Sequence, residues 1–209
     1  THECSSAASD VYKRQKLLYL YKEIKMFIQT EDTPNPDTLK FMPGDTVLKT
    51  GSVDYSNKES SVSSPLASRL FEIDGVSRVF LSSDFISVTK ETDLEWNNLK
   101  PSILTGIMEH YSSGLPALNN EKEIKVNDSA EDTEVVKQIK DLLETRVRPA
   151  VAMDGGDISF CSFEAGVVTL QMKGACAGCP SSTATLKMGI ENMLRHYIPE
   201  VTEVKAAEL

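Results

Sequence analysis

Residues 154–180 read DGGDISFCSFEAGVVTLQMKGACAGCP, and the architecture of the second half of the chain follows from them. Asp154-Gly155-Gly156-Asp157 is a turn signal, because glycine reaches conformations closed to other residues and aspartate hydrogen-bonds its own backbone. Ile158–Phe163 and Val167–Met172 are short β-branched and aromatic runs separated by Glu164-Ala165-Gly166, which predicts a hairpin. Gly174 and Gly178 then frame the loop Cys176-Ala177-Gly178-Cys179-Pro180. Downstream, Leu186, Ile190, Met193, Leu194 and Tyr197 recur on one helical face before Pro199, and Val201–Lys205 reads as a last strand. Upstream, Val135, Val136, Ile139, Leu142, Leu143 and Val147 form a single apolar stripe that Pro149 is expected to stop. The order is α-β-β-α-β.

The first half reads differently. Strand-like MFIQT and TLKFM flank the stretch EDTPNPD, where Pro34 and Pro36 fix an extended turn. Residues 51–64 are rich in Ser, Asp, Asn and Lys and read as a surface loop. Leu66, Leu70 and Ile73 fall at helical spacing, Val76–Ser82 and Phe85–Thr89 form a hairpin, and Leu99, Ile103, Ile107 and Tyr111 line a helix ending at Gly114. The fold class is α+β, as two small α/β-sandwich-like domains. They are expected at 26–114 and 132–209, joined by an acidic linker at 115–131 whose composition cannot bury much surface. Thr1 to Gln15 show neither helical nor strand periodicity, and Lys16 to Lys25 carry a short apolar segment without a secretory-length core. Residues 1–25 are read as a leader or non-native extension ahead of a natural start at Met26, and Cys4 goes with them.

Composition narrows the function classes. The chain has 209 residues, with 22 basic against 31 acidic side chains and a net charge of −9. That balance repels phosphate backbones and argues against nucleic-acid binding. No apolar run approaches the ~20 residues of a membrane-spanning helix, so no membrane partner is expected. Four cysteines, Cys4, Cys161, Cys176 and Cys179, are too few and too uneven for a disulfide scaffold.

The chemistry therefore centres on Cys176 and Cys179. Their loop runs into a helix, Pro180 suits an early helical position, and Ser181 or Ser182 can cap it. The partial positive charge of a helix start favours thiolate, the form that binds soft metals and iron–sulfur clusters. A four-iron cluster usually takes four cysteine thiolates and a structural zinc takes four ligands, whereas this loop supplies two. Cys161 falls mid-strand, where a small core side chain is expected; His110 and His196 lie near helix ends, where dipole or surface roles are expected. Asp154 and Asp157 are read as turn carboxylates bonded to their own backbone, not as metal ligands. A complete shell then needs two chains, each donating Cys176 and Cys179. Competing uses of the same sulfurs are a zinc-bridged dimer and a thiol–disulfide oxidoreductase; a long helix and a hairpin ahead of the motif, in place of a βαβ unit, argue against the latter.

Three segments carry a family resemblance. MFIQTEDTPNPDTLKFMPG (26–44) resembles the signature of the N-terminal domain of Nfu-type iron–sulfur scaffold proteins. RVRPAVAMDGGDI (146–158) and GACAGCPSSTATLKMGIENMLRHYIPEV (174–201) resemble the NifU-like C-terminal domain of the same family. The resemblance runs in order from Met26 to about Lys205. It implies a carrier, not an enzyme, that receives a [4Fe-4S] cluster from upstream assembly proteins and passes it to apo iron–sulfur clients. Cys176 and Cys179 match the family's cluster ligands, with the cluster shared in a homodimer. The N-terminal domain is expected to lack ligands and to guide partner contacts. With Met26 as the start, a bacterial cytoplasm is the simplest compartment; the mitochondrial matrix is the alternative that eukaryotic members of the family imply.

Overall fold

Alternation of apolar and polar residues along five short strands builds the first sheet. In this computed structural model residues 27–119, 133–177 and 180–207 are described. Strands β1 (Gln29–Asp32), β2 (Thr38–Met42), β3 (Val53–Tyr55), β4 (Val76–Leu81) and β5 (Ile86–Lys90) pair antiparallel in the order β1-β2-β5-β4-β3. The turn between β1 and β2 is held by Asn35, whose Oδ1 accepts the Asp37 N–H at 3.0 Å while its carbonyl accepts that of Thr38 at 2.9 Å. Two helices cover one face. Helix α1 (Pro65–Leu70) is capped by Ser64, whose Oγ accepts the Ala67 N–H at 3.0 Å, and α2 (Trp96–Ser113) ends at Gly114 with φ +69°. Leu66, Leu70, Ile103 and Ile107 from the helices meet Phe41, Val79, Leu81, Ile86 and Val88 from the strands in one apolar core. The expected hairpin and both helices are present. The expected loop at 51–64 is not uniform, since it contributes β3 and a short 3-10 turn (Glu59–Ser63). Val53 and Tyr55 add to the core beside β4, and this burial outweighs the polar composition.

The second half departs most from expectation at Pro149. The helix does not stop there. Helix α3 (Glu134–Leu142) passes through a π turn (Leu143–Val147) into α4 (Arg148–Met153). The Arg148 N–H reaches back five residues to the Leu143 carbonyl, and Pro149, which has no N–H to offer, takes an early position in α4. The buried stripe continues unbroken through Ile139, Leu143, Val147 and Val151.

Strands β6 (Gly156–Glu164) and β7 (Val167–Gly174) form the hairpin, longer at both ends than the sequence suggests. Its loop is two residues, Ala165 and Gly166, with φ +49° and +83°. Positive φ at both positions is the turn geometry whose twist matches that of the strands. Helix α5 (Pro180–Tyr197) then crosses over to β8 (Glu203–Ala206), which pairs parallel to β7. The sheet order is β6-β7-β8, and the α-β-β-α-β reading stands. Among the helices described, none is long and apolar enough to cross a membrane. The extension at 1–25, Met26, Cys4, linker residues 120–131, Gly178 and Cys179 lie outside the described residues, as do the capping side chains of Ser181 and Ser182.

Candidate functional site

The hairpin brings two glycine-rich strand ends together. Gly156 opens β6 directly opposite Gly174, which closes β7, and the cysteine loop leaves from that end. The loop is tied back by backbone: the Ala175 N–H donates to the Gly155 carbonyl at 3.1 Å, and the Ala177 N–H to that of Gly174 at 3.0 Å. Gly155 and Gly174 both have positive φ, +78° and +61°. Gly156 is required for a different reason. A Cβ there would lie 2.6 Å from Cys176 Sγ and 2.8 Å from the Lys173 carbonyl oxygen, so the cysteine side chain packs against bare backbone. Cys176 is 5% exposed and belongs to the apolar cluster of the second half.

Asp157 anchors this end. Arg148 donates to both carboxylate oxygens, Nε to Oδ1 at 2.8 Å and Nη2 to Oδ2 at 3.0 Å. Oδ1 also accepts the Ile158 N–H at 2.8 Å, and Oδ2 the hydroxyl of Ser52 at 2.5 Å. The Asp157 hydrogen bond holds the Arg148 guanidinium well above its ordinary pKa, with a second bond to Glu144 acting the same way. The four donors around Asp157 use both of its carboxylate oxygens. The expected turn's second half is strand, and the principal partner is an arginine nine residues back, not the local backbone. The sequence marks Arg148 only as a basic residue near a helix end. Its pairing depends on the helix continuing past Pro149, which aims the guanidinium at β6.

Other candidates are placed elsewhere. Cys161 is exposed, not core, because the β6–β7 register slips between Phe160 and Ser162 and the extra residue turns it outward. His110 is buried in the first domain, not at the surface, and burial, with the nearby Arg69 charge, lowers its pKa. His196 is exposed. Tyr197 is half exposed, with the Arg146 guanidinium over its ring at 5.0 Å. Among the described residues no group of three or more His, Cys, Asp or Glu side chains comes together.

Two family models match the chain in order. Residues 28–114 match the model described as scaffold protein Nfu/NifU N terminal, and residues 139–205 match the NifU-like domain. The chain belongs to the Nfu/NifU scaffold family. Relatives agree over most of its length. It is 53% identical over 185 residues to NifU-like protein 4, mitochondrial, of Arabidopsis thaliana, covering 86% of this chain and 65% of that one. It is 52% identical over 181 residues to the NFU1 iron-sulfur cluster scaffold homolog, mitochondrial, of Homo sapiens, covering 86% of this chain and 71% of that one. The chain thus spans about two thirds of the length of these relatives. A solution structure of a NifU-like protein from Saccharomyces cerevisiae aligns at 27% identity and a TM-score of 0.41, over 44% of this chain and 84% of that one. In this Nfu chain the hairpin end, and Gly156 above all, is what presses Cys176 into its place.

Proposed function

We propose that this Nfu/NifU chain is an iron–sulfur cluster carrier that takes up a [4Fe-4S] cluster as cargo and hands it to apo-proteins, without catalysing a reaction on a substrate of its own. Cys176 and Cys179 of one copy and the same pair of a second copy would supply the four thiolates such a cluster usually takes. The observation that carries the reading is the glycine cradle. Gly156 leaves room for the Cys176 sulfur, and the Gly155 and Gly174 carbonyls accept the amides on either side of Cys176, in a loop leading into α5, whose start is Pro180. A thiol needed only to fill core would call for no such approach, and a helix start favours thiolate. Relatives named as iron–sulfur scaffolds support the same assignment. Their mitochondrial names also favour the matrix over the bacterial cytoplasm as the compartment.

Anaerobic reconstitution with iron and sulfide tests it. The expected product is a brown dimer with about four irons per two chains. Cys176→Ser and Cys179→Ser should each abolish stable loading. Equal loading by either variant refutes the ligand assignment, and a full cluster held by a monomer refutes the shared site. Colourless protein with rapid dithiol turnover would favour an oxidoreductase, and tightly held zinc a structural dimer.

A further inference from the structure

An antiparallel sheet with helices on one side ordinarily leaves its other face to water. The five-stranded sheet does not. On the face turned away from α1 and α2 lie Phe80, Ser87 and Lys40, which are 0%, 1% and 8% exposed, together with Asp54. Phe80 and its neighbour Phe85, with ring centroids 5.8 Å apart, are fully buried yet lie outside the first domain's own core. What covers them is the base of the cysteine loop. Ser87 Oγ donates to the Gly155 carbonyl at 2.6 Å, Ser52 Oγ to Asp157 at 2.5 Å, and Lys40 Nζ to the Met153 carbonyl at 3.4 Å. Asp54 Oδ2, paired with Arg78 at 2.7 Å, accepts the Gly174 N–H at 3.4 Å. The Phe80 ring lies so near Gly174 that a Cβ there would be 2.9 Å from it.

All these contacts fall on residues 153–157 and 174, the two strand ends that carry the loop. Cys176 packs in the second half's own apolar cluster and, with Ala175 and Ala177, is 5% exposed or less, so the docked face acts on the loop through the strand ends that hold it. A cluster shared by two copies needs its sulfurs at a surface that both copies reach. We propose that the outer face of the N-terminal sheet is a removable cover of the strand ends that carry the cysteine loop, docked in the unloaded chain and parted from them before a second copy can engage Cys176.

The makeup of the interface suits reversal. Its polar contacts end largely on backbone carbonyls and hydroxyls that water can satisfy on separation, and the Phe80 ring at Gly174 is its aromatic contact. Domain interfaces of this mixed kind open and close. The second half of the proposal rests on reading Cys176 as a cluster ligand; the cover itself does not.

The test is pulsed alkylation of the reduced, metal-free full chain with N-ethylmaleimide, read cysteine by cysteine by peptide mass mapping. Phe80→Ser and Ser87→Glu each disrupt the docked face from a different strand while leaving the first domain's core untouched, and Trp96 emission checks that this domain is folded. Cys176 should react at least about tenfold faster in both variants than in the wild type, because labelling follows the population of the open form. The exposed Cys161 should react at one rate in all three and serves as the internal clock. Equal Cys176 rates in the three proteins overturn the cover, whether or not the protein takes up iron. Faster Cys176 labelling in variants of a protein that never takes up iron and sulfide upholds the cover and removes the ligand assignment instead.

Discussion

Replacing Gly156 by alanine adds one methyl group where the structure has no room for it. The new Cβ would sit 2.6 Å from Cys176 Sγ, 2.8 Å from the Lys173 oxygen and 3.1 Å from the Cys176 nitrogen. A side chain can rotate away; the two backbone atoms cannot without moving β7. Gly156 does not have positive φ, so alanine meets no backbone strain there and the effect is purely steric. Overpacking of this kind costs about 1–3 kcal/mol, and the stiffer unfolded chain returns about 0.4–1 kcal/mol, leaving a net loss of about 1–2 kcal/mol. Gly189 is the matched control. It lies within α5, and a Cβ there would meet nothing within 4 Å, so alanine should stabilise the helix by about 0.8–1 kcal/mol. Peptide-resolved hydrogen exchange on the full chain reads both. Amides of β6 and β7 should exchange about 5–30-fold faster in Gly156→Ala, and those of α5 more slowly in Gly189→Ala. Unchanged exchange in the hairpin, or equal destabilisation by the two alanines, would mean that close approach is not why Gly156 is glycine. Cluster loading should fall with the first substitution and hold with the second.

Arg148→Ala strands the Asp157 carboxylate, whose side chain is 8% exposed, on the partners that remain. Breaking a buried pair costs about 3–5 kcal/mol, and the one-third exposure of Arg148 reduces the expected loss to about 2 kcal/mol. In urea titrations, Arg148→Ala/Asp157→Asn should lose less than the sum of its single variants; strict additivity would refute the coupling. Burial lowers the His110 pKa, so below about pH 6.5 the unfolded chain takes up a proton that the folded chain resists. Stability is therefore complete above that pH and falls as the pH drops toward the lowered folded value. His110→Phe should flatten that limb of a pH–stability profile, and an unchanged slope would assign it to other groups. Ser64→Ala removes the α1 cap and also the hydroxyl that donates to the Ala117 carbonyl at 2.5 Å; a loss of about 1–2 kcal/mol should appear in a thermal melt followed by Trp96 emission.

Most elements were legible in the one-dimensional pattern because local rules decided them. Leu66 and Leu70 at helical spacing mark α1, Gly114 ends α2 with positive φ, and the β-branched and aromatic runs around Ser83-Asp84 mark the β4–β5 hairpin. The cysteine loop was legible too, since glycine and cysteine at that spacing answer a chemical need. The failures share one cause. Pro149 reads as a stop from composition, yet the π turn and the buried stripe through Val151 carry the helix past it. Cys161 reads as core under strict alternation, yet a register slip turns it outward. In both places packing against distant residues outweighed a local preference.

The order of elements, the pair of cysteines and the shortage of sulfur ligands in one loop are properties of the chain's text, because periodicity, turn chemistry and ligand counting are local or additive. Three facts exist only in the folded molecule: the grip of Arg148 on Asp157, the pressure of Cys176 against Gly156, and the burial of Phe80 on Gly174. Each joins residues from different elements, at distances set by how sheets and helices stack. No spacing along the chain encodes such distances.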